Sequence, residues 1–366
     1  MVRGARNDLL IMLSIIVATK NRTAFLQRLL KYLAYVRCPY PIYIGDSSES
    51  LDLEKNIETI KSLKGTLQIF HQLYPTLEVG PCYAKLGELV STPYCVCVAD
   101  GAFLVIKSLG KCVDFLEANK DYAMAHGISI LFQLCEEGPH GIFRDEVGLN
   151  LLTILEQNSA AERLAAHCSH YLVPLYSVMR TSIWQTIWSH SSLIKNPSIA
   201  GEVLASCYSV LFGKIKQVNC LYLVRHIHSR RTHLEMIDHW FIKPDWSEIY
   251  QIFRRCLASE LAKQDMIPLE RGYEIVDTTF ATYVRNQYRT DFLKTNPTLY
   301  SKLKATMKRI PGIQSSVLPL RKIIKTYLNK KDISLMALRR PSSPYHDDFM
   351  PIYQIVTQSN GPSRSL

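Results

Sequence analysis

The sequence lacks the features that mark several special classes of protein. Its apolar runs all fall short of the roughly 18 residues that a membrane-spanning helix requires. With 16 glycines and 17 prolines in 366 residues, it has too little of either for a collagen-like or low-complexity chain. None of its ten cysteines stands in a Cys-x-x-Cys pair, and most of them lie inside apolar runs, as buried free thiols do. We therefore expect a globular protein with reduced cysteines, in the cytoplasm.

The N-terminus has part of the pattern of a secretory signal. Arg3 and Arg6 stand before an apolar stretch that runs from Leu9 to Ala18. However, Asp8 interrupts the entry, and no plausible cleavage point with small residues follows. The stretch contains β-branched residues and leads into a helical pattern, so we expect a buried strand here.

The excess of positive charge is concentrated near the C-terminus. The chain carries 43 basic and 32 acidic residues, a net charge of +11. Between Lys302 and Arg340 eleven basic residues accompany a single acid, Asp332, so this segment alone holds +10. Apolar residues are interspersed with the basic ones, which is typical of a surface that binds anionic lipid; the alternative is a solvated helix pair packed on the main domain. Residues 341–366, rich in Pro and Ser, predict a flexible tail.

Strand and helix patterns alternate along the first 130 residues. Segments with strand patterns, each followed by a helical pattern, lie at 10–17, 42–45, 66–70 and 94–99. This alternation predicts an α/β fold with a mostly parallel sheet and helices on both faces. Beyond about residue 231 the pattern is mainly helical. We therefore divide the chain into a domain at 1–230, a helical C-terminal region at 231–300, the basic segment at 301–340 and the tail at 341–366.

Polar clusters follow three of the expected strands. Thr19 to Arg22 come after the first strand, Asp46 to Ser48 after the second, and Asp100 after the fourth. In parallel sheets, ligands bind beyond the carboxyl ends of the strands. We expect these residues to surround one cleft, together with Lys85 from the helix that precedes the fourth strand.

These segments resemble the motifs of family 2-type glycosyltransferases, which have the GT-A fold. Ser14–Arg22 is similar to their opening strand and its Pro-Thr-Tyr-Asn-Arg loop, and Ile42–Ser48 to their second strand, which ends in an acid followed by serine. Thr92–Asp100 looks like the strand that delivers their Asp-x-Asp motif. The likeness covers about residues 10–225. It implies an enzyme that moves a sugar from a nucleotide-activated donor to a hydroxyl of a polysaccharide or a glycolipid, here a glycan or lipid-linked acceptor.

The resemblance implies a nucleotide-sugar site on the first two loops. It would contain Thr19, Asn21, Arg22, Asp46 and Ser47, with Asp46 accepting a hydrogen bond from a base N–H. For Asp46 the alternative is an Asx turn that closes the strand, and for Asn21 it is a helix N-cap. Arg22 has the alternative of a solvated residue in the first helical turn.

The chain departs from the family at the metal motif. If Asp100 takes the first acidic position, Ala102 takes the second, so one carboxylate remains for Mg²⁺ or Mn²⁺. We expect a cofactor to be either not required or weakly bound at Asp100. Basic side chains would then neutralise the leaving phosphate in its place. The candidates are Lys85 and the cluster that begins at Arg225, of which we single out Arg225, His226 and Arg230. The alternatives for the cluster are a solvated basic turn and, for its histidines, a role as metal ligands.

A late helix supplies the expected general base. Glu202 opens the helix predicted from Gly201 to Phe212, where the resemblance places the acid that deprotonates the acceptor in an inverting transfer. Its alternative role is a favourable charge at a helix N-terminus. Tyr171, Tyr176 and Arg180 resemble the acceptor side of the site, although both tyrosines fit a core position equally well.

Two other classes of function compete with the enzyme. A non-catalytic relative would keep the fold and serve as a nucleotide-binding or partner subunit, which the missing second carboxylate favours. A nucleic-acid-binding protein ranks last, because the excess charge lies in one stretch without the stacking aromatics that such proteins use, and we expect no nucleic-acid partner. The basic segment at 302–340 adds a candidate contact with an anionic membrane surface, which would make the protein peripheral to the inner face of the membrane.

Overall fold

The computed structural model describes residues 12–194, 196–229, 235, 237–295 and 333–358. Its strands are β1 (Leu13–Thr19), β2 (Ile42–Asp46), β3 (Ile69–Leu73), β4 (Tyr94–Cys97), β5 (Ala102–Leu104), β6 (Tyr122–Phe132), β7 (Gly148–Asn150), β8 (Val178–Arg180) and β9 (Lys214–His226). Its α-helices are α1 (Thr23–Tyr35), α2 (Ser50–Ser62), α3 (Val79–Leu89), α4 (Ile106–Ala118), α5 (Ala160–Ser169), α6 (Thr181–Trp188), α7 (Leu204–Ser209), α8 (Ile237–Phe241), α9 (Trp246–Asp265), α10 (Leu269–Thr295), α11 (Leu335–Leu338) and α12 (His346–Thr357). A 3₁₀ turn at Ser191–Leu193 and a π turn at Ile199–Val203 complete the elements of these ranges.

All nine strands of the described ranges belong to one mixed sheet. Eight lie in the order β3-β2-β1-β4-β8-β6-β9-β5, and β7 pairs with β6. The first four are mutually parallel, as are β6 and β9, whereas β8, β5 and β7 run antiparallel to their neighbours. The predicted α/β class is confirmed. The parallel character is confined to the N-terminal strands and the β6–β9 pair.

Helices cover both faces of the sheet, because its central strands are apolar on both sides. Along β1, Leu13, Ile15 and Val17 pack into one hydrophobic cluster with α1, α4 and α12. Ile16 points the other way, into a second cluster with α3, α6, α7, α9 and α10. The strand ends therefore emerge between two packed layers.

The helices between residues 237 and 295 pack on this second face. Phe253, Leu257 and Val276 are buried in the same cluster as Ile16. Asp265, at the end of α9, accepts hydrogen bonds from the backbone N–H groups of Ala160 and Ala161 at 2.7 and 2.8 Å. This carboxylate satisfies the free N–H groups at the start of α5 and ties the C-terminal helices to the sheet domain.

The segment after residue 340 differs from the expected flexible tail. Residues 346–357 form α12, which packs against α1 and buries Phe349, Ile352 and Val356 completely. Tyr35 donates a hydrogen bond to Gln354 at 2.8 Å. The buried residues follow helical spacing, and this signal outweighs the Pro and Ser content from which a loose tail was predicted.

No helix in the described ranges combines the length and the apolar character needed to cross a bilayer.

Candidate functional site

A cavity of ≈ 250 Å³ opens at the carboxyl ends of β1 and β4. Ala18 and Asp100 come from these two strand ends, Arg225 from the end of β9, and Glu202 from the π turn that precedes α7. Tyr83 of α3 and Tyr176 close the other side. The cavity lies where parallel α/β sheets bind ligands. We refer to it as the cleft.

Six of the residues singled out from the sequence line the cleft. They are Arg22, Asp100, Tyr176, Glu202, Arg225 and His226. Thr19 and Tyr171 do not line it, but each contacts one of its carboxylates.

Asp100 is buried and held by two donors. Its side chain is 2 % exposed, Thr19 Oγ1 donates to Oδ2 at 3.0 Å, and Arg22 Nη1 donates to Oδ1 at 3.3 Å. Burial raises the pKa of Asp100, and the positive charge of Arg22 with the Thr19 hydroxyl partly offsets this rise. Both carboxylate oxygens are therefore engaged within the protein.

Glu202 lies in a π turn, an irregularity that is frequent at functional sites. Tyr171 donates its hydroxyl to Oε1 of Glu202 at 3.2 Å. Burial raises the pKa of Glu202, and the Tyr171 bond and the charge of Arg225 oppose it. Asn196 fixes the start of the turn, because its Oδ1 accepts from the N–H groups of Ser198 and Ile199, both at 3.0 Å. The result is a carboxylate of raised pKa on a braced backbone, as a general base requires.

Arg225 lies at the end of β9 and, like Glu202, lines the cleft. Its guanidinium lies 5.3 Å from the ring centroid of Tyr176. This cation–π contact orients the side chain. The cleft thus contains two arginines, Arg22 and Arg225, beside the buried Asp100 and the half-buried Glu202.

Asp46 is satisfied inside the protein and does not line the cleft. Its carboxylate accepts from Ser48 N–H at 2.9 Å, from Asn56 at 2.8 Å and from His71 Nε2 at 3.1 Å. Although burial raises its pKa, the hydrogen bonds from His71, Ser48 and Asn56 outweigh burial and lower it. The contact with Ser48 N–H is the Asx turn considered as the alternative role. Ser47 donates to the carbonyl oxygen of Leu77 at 3.0 Å.

Asn21 joins the first loop to the second. Its backbone has φ 54°, a left-handed conformation that asparagine tolerates. Its Oδ1 accepts from Glu49 N–H at 2.8 Å, and its N–H donates to Ser48 Oγ at 2.9 Å. The N-cap of α1 is Arg22, so Asn21 does not cap the helix.

Of the remaining predicted residues, the structure brings neither Lys85 nor Arg180 to the cleft. Lys85 pairs with Glu88 at 3.1 Å on the exposed side of α3. Arg180 donates to Tyr94 Oη at 2.7 Å and to the carbonyl oxygen of Leu116 at 2.9 Å, beside α4. Arg230 lies outside the described residues.

Sequence reasoning missed Tyr83 and Arg28 near the cleft, and it did not single out His228 within the cluster that begins at Arg225. Tyr83 and His228 line the cleft, and Arg28 lies fully buried behind it. The ring of His228 stacks on Phe25 at 4.2 Å. A side chain on Gly101 would place Cβ 2.8 Å from His228 Nε2, so this turn requires glycine. The helical spacing of α1, with Phe25 and Arg28 three residues apart on its buried face, could have indicated Arg28.

The surroundings of Asp100 do not suit a divalent cation. Both oxygens of Asp100 are engaged, and Ala102 belongs to β5, is fully buried and pairs with Arg225. Mg²⁺ and Mn²⁺ need free oxygen ligands at nearly ideal geometry. Within the described ranges, no group of three or more His, Cys, Asp or Glu side chains could hold a metal ion.

Comparison with known proteins gives structural likeness only. No protein-family model matches the chain, and no curated protein matches it. Among solved structures, it is similar to S. aureus TarS, a GT-A-type glycosyltransferase, with 12 % identity and a TM-score of 0.47 over 94 % of this chain and 54 % of that chain.

Two further structures contain residues 1–349 of the same protein. The complex with UDP matches with 12 % identity and a TM-score of 0.46, over 93 % of this chain and 91 % of that one. The complex with UDP-GlcNAc matches with 12 % identity and a TM-score of 0.45, over 94 % of this chain and 89 % of that one. This chain thus spans about half of the full TarS chain. Likeness at this level supports no conclusion about the activity of this chain.

Proposed function

We propose that this protein is a glycosyltransferase that uses a nucleotide-activated sugar as donor and a hydroxyl group of a polysaccharide or glycolipid as acceptor. The observation that carries the proposal is the convergence of Asp100, Arg22, Glu202 and Arg225 on one cleft at the strand ends. They come from segments far apart in the sequence. Their types match the needs of sugar transfer: a base for the acceptor and cations for the leaving phosphate.

The first two loops and the arginines hold the donor in this proposal. Thr19, Asn21, Asp46 and Ser47 shape the nucleoside end by fixing the loops after β1 and β2. Arg22 and Arg225 face the phosphates. Because Arg22 is already hydrogen-bonded to Asp100, a phosphate oxygen competes with that carboxylate for the guanidinium.

Glu202 serves as the general base. Its carboxylate takes the proton of the acceptor hydroxyl while the acceptor oxygen attacks the anomeric carbon from the face opposite the phosphate. The bond from that carbon to the phosphate oxygen breaks, and the electron pair leaves with the nucleotide. Arg225 neutralises the charge that develops there, and the transfer inverts the anomeric configuration. Tyr176, whose ring makes the cation–π contact with Arg225, lies on the acceptor side.

Transfer proceeds without a metal ion in this proposal, since both oxygens of Asp100 are engaged by Thr19 and Arg22. The basic segment at 302–340, most of which lies outside the described residues, attaches the protein to the anionic inner face of a membrane, where a lipid-linked acceptor would be presented. The protein acts in the cytoplasm.

A screen of donors tests the function. The full-length protein is incubated with UDP-, GDP-, CMP- and TDP-sugars, and released nucleotide is measured by mass spectrometry. We expect turnover of one donor class, which Glu202→Gln abolishes. Glu88→Gln, an exposed change on α3, is the matched control and should retain turnover. Absence of both turnover and nucleotide binding with all four classes would contradict the proposal.

A non-catalytic nucleotide-binding subunit is the second candidate. The observation that favours it is that both carboxylate oxygens of Asp100 accept hydrogen bonds within the protein, from Thr19 and Arg22. Nucleotide binding without turnover of any donor would select this candidate.

A further inference from the structure

A buried arginine lies behind the wall of the cleft. Arg28 in α1 has no exposed surface, and its guanidinium lies 5.2 Å from the ring centroid of Phe25 and 4.8 Å from that of Phe103. Among the described residues no carboxylate forms an ion pair with it. Burial lowers its pKa to about 9, and the negative charge of Asp100 opposes this, so it stays protonated at neutral pH. A buried cation destabilises the folded state unless acceptors satisfy its N–H groups, so its stability here depends on the acceptors around Arg28.

The acceptors of Arg28 belong to three segments around the cleft. Nη1 donates to the carbonyl oxygen of Pro139 and lies 3.2 Å from Nδ1 of His226. Nη2 donates to the carbonyl oxygen of Gly101 at 3.4 Å. The same carbonyl accepts from His226 N–H at 3.1 Å. Arg28 therefore joins the turn that follows Asp100 to the end of β9.

The contact with Arg28 determines where His226 carries its proton. An arginine can only donate, so Nδ1 of His226 accepts and the proton of the neutral ring resides on Nε2. Phe132 fixes the plane of the ring, with centroids 4.7 Å apart and planes 6° from parallel. Burial, followed by the positive charges of Arg28 and His228, lowers the pKa of His226 to about 3, so the ring is neutral at pH 7.

We propose that Arg28 is a positioning residue that locks His226 in its Nε2–H tautomer, as a neutral hydrogen-bond donor to the phosphate of the nucleotide in the cleft. Only the identity of the ligand, a nucleotide phosphate, rests on the proposed function; the tautomer assignment does not. His226 lines the cleft, and its Nε2 has no hydrogen-bond partner among the described residues. A fixed neutral N–H stabilises charge on a phosphate oxygen without a change of protonation. A ring locked in this way does not act as a general acid near neutral pH.

Nitrogen NMR of ¹⁵N-histidine-labelled protein tests the tautomer directly. We expect Nδ1 of His226 to have the shift of an unprotonated nitrogen and Nε2 that of a protonated one, with no titration between pH 5 and 8. The groups that face the ring are Arg28 from α1, which is charged, and His228 from its own segment, whose pKa burial lowers to about 4, so that it is neutral in this range. His226→Gln assigns the signals. A proton on Nδ1, or titration of the wild-type ring in that range, would overturn the proposal.

Substitution of the arginine tests its positioning role. Arg28→Met keeps much of the volume and removes the donors, so we expect mixed tautomers at His226 and titration at a higher pH than in the wild type. Arg163→Met is the matched control, because Arg163 is another buried arginine whose bonds go to backbone carbonyls at the end of α7. Both substitutions should destabilise the fold, but only Arg28→Met should change the His226 signals. If Arg28→Met does not fold, the wild-type spectrum and Arg28→Lys decide.

Calorimetric titration with UDP, GDP, CMP and TDP separates this inference from the proposed function. For the nucleotide that binds, we expect Arg28→Met and His226→Phe to weaken binding about tenfold, as for one lost hydrogen bond to a charged group, and Arg163→Met to leave it unchanged. Equal affinity in Arg28→Met and wild type would refute the positioning role with the function intact. If none of the four binds, the proposed function and the phosphate role of His226 both fail, while the tautomer assignment is still decided by NMR.

Discussion

Replacing Glu202 by glutamine separates a catalytic role from a structural one. Glutamine keeps the shape of the side chain, and its amide oxygen can still accept the Tyr171 hydroxyl, which lies 3.2 Å from Oε1 in the wild type. It cannot take a proton from an acceptor. We expect the rate of transfer to fall by about 10²- to 10⁴-fold, the usual contribution of a general base, with nucleotide affinity unchanged.

Glu202→Gln should lower the rate of transfer, but at pH 8 it should not lower the stability of the fold. Because burial raises the pKa of Glu202 in the folded state, the folded protein binds this proton more tightly than the unfolded chain does. The stabilisation is complete below the unfolded pKa and is lost as pH rises through the folded pKa. At pH 8 the wild type therefore holds a disfavoured charge. The free energy of unfolding of Glu202→Gln should equal or exceed that of the wild type there.

Urea denaturation at pH 5 and pH 8, beside single-turnover transfer assays, measures both quantities. A variant that loses activity and is also less stable at pH 8 would show that Glu202 is structural. A variant that keeps its activity would refute the role of base.

Tyr171→Phe extends this test to the pH profile. The Tyr171 hydroxyl lowers the pKa of Glu202, so its removal should move the acidic limb of the rate profile to higher pH. Tyr283→Phe is the control, since that ring packs edge-on against Tyr171 at 4.9 Å and shares no hydrogen bond with Glu202. The control profile should coincide with the wild type.

Three further outcomes are expected. Arg225→Ala should lower the turnover number by about 10²-fold, as when one contact to transition-state charge is lost, and unchanged turnover would exclude Arg225 as the phosphate partner. Transfer should persist in EDTA, whereas complete loss restored by Mn²⁺ would show that Asp100 recruits a metal. Phe349→Ala in α12 should reduce the free energy of unfolding in urea by about 3–5 kcal/mol, while Met336→Ala, at a side chain 65 % exposed, should stay within about 0.5 kcal/mol of the wild type.

The fold could be predicted where strands are buried on both faces. β1, β2 and β4 are short apolar runs whose flanking polar loops mark their ends, so both the class and the strand-end position of the cleft follow from the sequence. The third strand shows the limit of this signal. It was predicted at 66–70 and lies at Ile69–Leu73, because this edge strand is only half-buried and its sequence has no continuous apolar run.

Side-chain roles could be predicted less well than loop positions. The sequence places Asp46 at the end of β2, but its partners Asn56 and His71 come from α2 and β3, and only the fold brings them to its carboxylate. Lys85 was assigned to the cleft from its helix alone. The buried face of α3 contains Tyr83 and Leu86, so helical spacing would have favoured Tyr83 as the residue facing inward.

Ala102, where the resemblance would place the second acid of the Asp-x-Asp pattern, belongs to the packed interior of the fold. Ala102 is fully buried in the hydrophobic cluster shared with Leu104 and Phe103, and its strand pairs with β9. An aspartate there would place a carboxylate in the apolar core, where an unpaired charge is strongly disfavoured. Ala102→Asp would therefore destabilise the domain and would not create a metal site. In the proposed function, side chains from other segments neutralise charge at this cleft, and Arg22 and Arg225 line it.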